Sequence, residues 1–289
     1  MTAAILDGII LGLGFGLLGV GMTLGYGLGG VLNLAYGEFA VLAAIIVAQA
    51  ISGGIPTVLA AVLGILAAAA AGVLLDLTLM RPVYRQTGGH RVLLGLMLTL
   101  GLAFVIEGVL TWRDPLGGLT IDISGKPITF LGVPLAVGSV WAAAIALAVG
   151  AALLVFFGAT TFGRGVRSVI QDELGARLVG ISPSLVRTVI FGLSGALAGL
   201  VAVTQSMTSP VTVTGGFNLT VYALIVSVVG GLDSVAGAFL AGVLLGIVND
   251  VSAYYIGSYV SDIVLLGAAA LTILVRPRGL LGAYSTVRR

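Results

Sequence analysis

Apolar residues follow one another along this chain in runs far longer than a strand or an ordinary surface helix needs. Stretches free of charge run Gly8–Gly37, Phe39–Leu75, Pro127–Gly163 and Thr188–Leu232, with shorter ones at Val92–Ile106, Ser234–Asn249 and Ile263–Val275. About 20 apolar residues in a helix cross the hydrocarbon core of a bilayer. Turn signals such as Ser52-Gly53-Gly54-Ile55-Pro56 and Ser209-Pro210 divide the longer runs. The pattern predicts membrane helices near 8–28, 36–52, 57–80, 92–112, 138–160, 187–207, 217–232, 235–252 and 257–275. Glycines interrupt residues 29–37, so the first two pieces read as a broken helical region. Eight or nine crossings result, eight if one piece only re-enters.

Composition agrees. Of 289 residues, 59% are hydrophobic and 8% charged, with a mean hydropathy of +1.21. Soluble domains carry about 25% charged residues, so a water-soluble enzyme and a disordered chain are both excluded. The 45 glycines lack a collagen period and suit helices whose backbones approach closely. Without cysteine there is no disulfide, thiolate metal site or thiol nucleophile. The expected fold class is all-α: a single polytopic transmembrane bundle over residues 1–289, of about eight helices.

The thirteen basic residues fix the orientation. Arg81, Arg85 and Arg91 form one cluster, Arg164, Arg167, Arg177 and Arg187 a second, and Arg276, Arg278, Arg288 and Arg289 a third. Only Arg113 and Lys126 stand elsewhere. The positive-inside rule makes the three clusters cytoplasmic and turns the 113–137 loop outward. No basic n-region precedes the first apolar run, so no removed signal peptide is expected. The longest segment outside the spans, 161–187, is too short for a second folded domain.

Within that segment, Leu174, Leu178 and Ile181 repeat at i, i+4, i+7, which predicts a short helix over 171–181 with one apolar stripe. Glu173 and Arg177 stand four apart on its other face. Gly180 ends the helix, and Ser182-Pro183 opens the next as N-cap and N1. Such a helix either docks in a partner's groove or lies on headgroups. At the other end of the chain, glycines at 25, 27, 29, 30 and 37 bracket Asn33, Tyr36 and Glu38 at membrane depth. Broken backbone survives there only if buried in protein or lining a wet cavity. A mid-bilayer acid costs at least about 2.5–3.5 kcal/mol on insertion scales, so Glu38 should face protein or water; the alternative places it at the membrane surface. A faint echo, Gly230-Gly231-Leu232-Asp233-Ser234 with Gly237-Ala238-Phe239, resembles Gly29–Phe39 and hints at repeated halves meeting at a substrate site. Of the remaining acids, Asp76 and Asp250 read as reaching water, Glu107 as the better buried candidate, and Asp262 as opening the last span. His90 reads as solvated or headgroup-facing.

The sole lysine, Lys126, lies in Ser-Gly-Lys-Pro on the outward side. A P-loop needs Gly-x4-Gly-Lys-Ser/Thr, so this chain is not its own ATPase by that route.

Three landmarks carry a family resemblance. They are Gly29-Gly30-Val31-Leu32-Asn33-Leu34-Ala35-Tyr36-Gly37-Glu38-Phe39, the run Gly163-Arg164-x-x-Arg167 … Asp172 … Ala176-x-Leu178-x-Gly180-Ile181, and Arg276-Pro277-Arg278-Gly279-Leu280-Leu281-Gly282. In order and spacing they resemble permease subunits of branched-chain amino acid ABC importers, over essentially the whole chain. Tyr36 stands where that family often has His, which touches substrate selectivity; Gly165 and Ser168 replace common alanines. The resemblance implies an inner-membrane, non-enzymatic permease. Its partners would be a sister permease, two ATP-binding subunits and a periplasmic substrate-binding protein, with no cofactor, metal or nucleic acid. Arg164, Arg167, Asp172, Glu173, Ala176, Arg177, Leu178 and Gly180 would couple to the ATPases; Gly30, Asn33, Tyr36, Gly37, Glu38, Gly231 and Asp233 would serve the substrate pathway. A urea or short-amide permease of the same superfamily and an ion-coupled secondary carrier are the alternatives.

Overall fold

In the computed structural model, residues 1–86, 88–123, 125–130, 132–276 and 279–281 are described. Pro277, Arg278 and Gly282 of the terminal landmark, with Arg288 and Arg289, lie outside them. Among the described residues the chain forms twelve α-helices: α1 Thr2–Gly29, α2 Tyr36–Ser52, α3 Thr57–Leu75, α4 Arg81–Tyr84, α5 Gly88–Arg113, α6 Val137–Ala159, α7 Thr161–Gln171, α8 Glu173–Leu178, α9 Pro183–Gln205, α10 Gly216–Gly230, α11 Val235–Ile256 and α12 Ser258–Val275. A π-turn, Asp76–Met80, joins α3 to α4 in one continuous rod. Among the described residues eight stretches are long and apolar enough to cross a bilayer, counting the α3–α4 rod as one and α10 together with the 3-10 turn Val213–Gly215 before it. The chain is thus a multi-pass helical membrane protein, with α2, at 17 residues, as the short piece.

The start of α2 is enclosed, as the middle of α1 is from Phe15 to Gly25. Tyr36, Gly37, Glu38, Phe39, Ala40 and Val41 are all buried in succession, leaving no lipid-facing stripe over that turn and a half. The flanking rods α3 and α5 bury mainly small residues: Ala60, Gly64, Ala68 and Gly72 on α3, Gly95, Thr99 and Ala103 on α5. Their Leu, Val and Phe side chains point outward, as at Val58, Leu66, Phe104 and Val105. Lipid tails are as apolar as leucine, so packing within a membrane rewards close backbone approach instead of greasy bulk. The α1–α11 pair follows this rule. Gly8, Gly12 and Gly16 face Ile247, Gly246 and Gly242, and a Cβ at Gly12 or Gly246 would run into the opposing main chain.

At the end opposite the arginine clusters, β1 (Gly118–Leu119) pairs antiparallel with β4 (Val211–Thr212), tying the loop after α5 to the α9–α10 connection. The strands β2 (Ile128–Phe130) and β3 (Val133–Leu135) form a small antiparallel ribbon beside them. At the arginine end, the backbone N–H of Leu280 donates to the Val229 carbonyl, so the terminal segment folds back on α10.

Candidate functional site

Two polar constructions interrupt the apolar bundle. The first is the break between α1 and α2. Gly30 takes the left-handed conformation at φ +62 and donates its N–H to the Tyr26 carbonyl, closing α1. Any Cβ there would be strained, so glycine is what lets the helix stop at this depth. Asn33 is buried and its Oδ1 accepts the Ala35 N–H at 3.1 Å, a local turn that starts α2. Ala35 has no side chain to cap the new helix. Instead the Gly37 N–H donates to Thr220 Oγ1 of α10 at 2.8 Å, and the Leu34 N–H donates to Thr99 Oγ1 of α5 at 3.2 Å. Orphan donors of a helix start must find partners, and here two neighbouring helices supply them. Gly37 is required for that approach, because a Cβ would overlap the Gly216 carbonyl and crowd Thr220.

Tyr36 and Glu38, 0% and 1% exposed, are held in the same place. The Tyr36 hydroxyl lies against Gly21 of α1, whose carbonyl accepts the Ser194 hydroxyl at 2.8 Å. The Glu38 carboxylate lies against Gly216 of α10. Among the described residues, Glu38 Oε2 and the Tyr36 hydroxyl have no hydrogen-bond partner. Glu38 sits in the first turn of α2, where a negative charge is favoured by the helix dipole. Thus Glu38 faces protein rather than the membrane surface.

The echo at Gly231 has the same outline and different surroundings. Gly231 is buried with φ +106 and ends α10; Ser234 Oγ accepts the Gly237 N–H at 3.0 Å and starts α11. Asp233, however, is exposed. With Thr23, Gly27, Arg167 and Ile170 it lines a cavity of about 260 Å3 between α1, α7 and the α10–α11 turn. A second cavity, of about 280 Å3, opens at the far end. Asp7, Asp250, Gln205, Ser209, Phe15 and Leu18 are among the residues that line it. Asn33, Tyr36 and Glu38 line neither.

The second construction faces the arginine end. Helix α7 buries Gly163, Val166 and Val169 at three-residue spacing and exposes Arg164 and Arg167. The Arg167 guanidinium donates to the Phe157 carbonyl of α6. Thr160 Oγ1 caps α7 by accepting the Gly163 N–H at 3.1 Å, and Asp172 caps α8 by accepting the Leu174 N–H at 3.0 Å. The expected helix over 171–181 is shorter than its apolar spacing suggests. Extended backbone at Asp172 (φ −153) and the left-handed Gly180 (φ +84) limit it to Glu173–Leu178. Ser182 precedes Pro183 at N1, but its hydroxyl makes no capping bond. Leu174 and Leu178 are 72% and 89% exposed, whereas Ala176 packs inward. Glu173 Oε1 accepts from Arg177 at 2.6 Å, and Oε2 from Arg187 of α9. A third cavity, bordered by Arg177, Gly180 and Ser182, opens beside α8.

Asp76 departs from its expected exposure to water. It is 4% exposed, with Oδ1 accepting the Tyr84 hydroxyl at 2.9 Å and Oδ2 the Thr188 hydroxyl at 2.5 Å. The π-turn directs it into the bundle next to α9 instead of outward. Asp250 and Glu107 are half-buried, Asp262 is exposed and accepts the Tyr222 hydroxyl at 3.0 Å, and His90 is exposed. The sequence patterns did not single out Thr99, Thr220, Ser194 or Tyr84, the side chains that hold both constructions. For Thr99, Thr220 and Ser194 the one visible signal is a hydroxyl isolated in an apolar run; Tyr84, between Arg81 and Arg85, lacks even that.

A family model described as the branched-chain amino acid transport system permease component matches residues 4–275. The high-affinity branched-chain amino acid transport system permease protein BraD of Pseudomonas aeruginosa is 27% identical, over 96% of this chain and 94% of its own length. The permease protein LivH of Escherichia coli is 25% identical over the same shares. The permease protein LivM of Salmonella typhimurium is 32% identical over a part, 41% of this chain and 28% of its own. Permeases of this kind carry out no covalent chemistry, and this chain, with its eight bilayer-length helices and its match from residue 4 to residue 275, belongs to the branched-chain amino acid transport permease family.

Proposed function

We propose that the protein is the permease subunit of an ATP-driven importer of branched-chain, hydrophobic amino acids in a bacterial-type inner membrane. It pairs with a sister permease, is driven by two ATP-binding subunits and receives substrate from a periplasmic binding protein. The observation that carries this reading is the similarity to BraD and LivH along 96% of the chain. The partial likeness to LivM supports a permease pair.

The reading assigns the two constructions different tasks. The exposed Leu174–Leu178 ridge and the flanking Arg164, Arg167, Asp172, Glu173, Arg177 and Gly180 meet the ATPases; Ala176 seats the helix on the bundle. Gly30, Asn33, Tyr36, Gly37 and Glu38, together with Gly231 and Asp233, serve the pathway at the two helix breaks. Broken helices expose main-chain N–H and C=O groups suited to a zwitterion. ATP must bind the outward- and inward-open states unequally if it is to drive the exchange between them. The test is uptake into vesicles containing the chain and the proteins that purify with it. ATP-dependent entry of leucine, little entry of urea and insensitivity to an ionophore are expected. Uptake by the isolated chain on a proton or sodium gradient would overturn the reading. In the complex, Arg177→Ala should lower leucine uptake while insertion into the membrane persists.

A further inference from the structure

The polar groups at the arginine end form one continuous series of contacts that starts at α8 and finishes at the α1 break. Glu173 bridges Arg177 of its own helix and Arg187 of α9. The Arg187 guanidinium, only 7% exposed, stacks over the Tyr84 ring at 4.4 Å, and that of Arg91 lies 5.4 Å from the same ring. The Tyr84 hydroxyl donates to Asp76 in the π-turn, which also takes the Thr188 hydroxyl next to Arg187. Arg91 Nη2 donates at 2.7 Å to the carbonyl of Gly29, the last residue of α1 and the neighbour of left-handed Gly30. Three helix ends and a π-turn therefore meet around one aromatic ring.

We propose that Tyr84 and Arg187 are positioning residues in a relay that sets the geometry of the 30–35 break according to the position of α8. This rests on the function proposed above. The physical reason is that Arg187 is buried and ionic: separating it from Glu173 leaves an unpaired charge in a poor solvent for charge. Displacement of α8 thus carries Arg187 with it. A cation over an aromatic face holds without fixed directionality, so Tyr84 can follow Arg187 sideways while keeping Arg91 engaged. Arg91 in turn grips a helix-terminal carbonyl that has no partner within α1. The π-turn at Asp76–Met80 gives the α3–α4 rod a place to yield, as such turns do at functional sites.

The experiment uses the complete complex in vesicles and measures leucine imported per ATP hydrolysed. Tyr84→Leu removes the ring, and Tyr84→Phe keeps it and loses only the Asp76 bond. Tyr84→Leu should assemble, hydrolyse ATP at close to the parent rate and import about ten-fold less leucine per ATP, within the range usual for coupling between sites. Tyr84→Phe should recover most of that loss, which a role carried by the hydroxyl and its Asp76 bond would not predict. Glu173→Gln removes the charge that holds Arg187 and should uncouple, and Glu173→Asp, which keeps a carboxylate for Arg187 while its guanidinium stays over the Tyr84 ring, should restore most of the import per ATP. Should Tyr84→Leu fail to assemble, the two Glu173 variants decide. Unchanged stoichiometry in Tyr84→Leu, or an assembled Glu173→Asp complex no better than Glu173→Gln, overturns the relay. A parent complex without ATP-driven uptake overturns the functional reading instead, and the relay with it.

Discussion

Glu38 and Asp76 are both carboxylates shut away among apolar helices, and they are treated in opposite ways. Each oxygen of Asp76 receives a hydroxyl, from Tyr84 on the same rod and Thr188 on α9. Glu38 rests against the Gly216 backbone, and among the described residues its Oε2 is unpartnered, as is the Tyr36 hydroxyl against Gly21. Buried polar atoms are nearly always satisfied. A satisfied acid such as Asp76 locks the elements that feed it. An unsatisfied acid at the start of a broken helix is a stored cost, tolerated where function can use it. The contrast assigns Asp76 to architecture and, on the reading proposed above, Glu38 to transport.

Four substitutions probe this contrast, from the most to the least disruptive. Gly37→Val puts a branched side chain into the Gly216 carbonyl. It should cost about 3 kcal/mol or more and abolish recovery of folded protein from membranes. Asp76→Ala leaves the Tyr84 and Thr188 hydroxyls without their acceptor and should lower stability by about 2–3 kcal/mol, read from thermal unfolding in detergent. Glu38→Gln preserves shape and should melt within about 1 kcal/mol of the parent while uptake drops about ten-fold, equivalent to about 1.4 kcal/mol of barrier. If uptake survived, Glu38 would be architectural, as Asp76 is. Thr220→Val removes the acceptor for the Gly37 N–H and should cost about 1 kcal/mol, visible as faster amide exchange at Gly37.

The spans were legible because a bilayer sets a length and tolerates few charges, and both rules act on consecutive residues. The 36–52 piece already stood apart through the glycines before it. The enclosure of Asp76 is illegible for the converse reason. Its distance along the chain from a helix end says nothing about the face it points to, and the π-turn and the Thr188 hydroxyl 112 positions away settle that. Apolar spacing predicts a longer helix over 171–181 than forms, since it continues past the points where Asp172 and Gly180 stop the backbone. The echo at Gly231 was readable as a helix break. That Asp233 is exposed there while Glu38 is enclosed at the first break is not legible in either pattern.

By itself, then, the sequence determined that this is a membrane bundle, roughly where its spans lie, and which end gathers its arginines, because each depends on local composition and periodicity. Only the tertiary structure decided that Thr220 and Thr99 cap the interior break, that Asp76 is enclosed, and that α8 reaches α1 through Arg187, Tyr84 and Arg91. Those contacts join residues far apart in the chain, and no rule based on neighbouring positions fixes which hydroxyl or guanidinium will meet an orphaned backbone group.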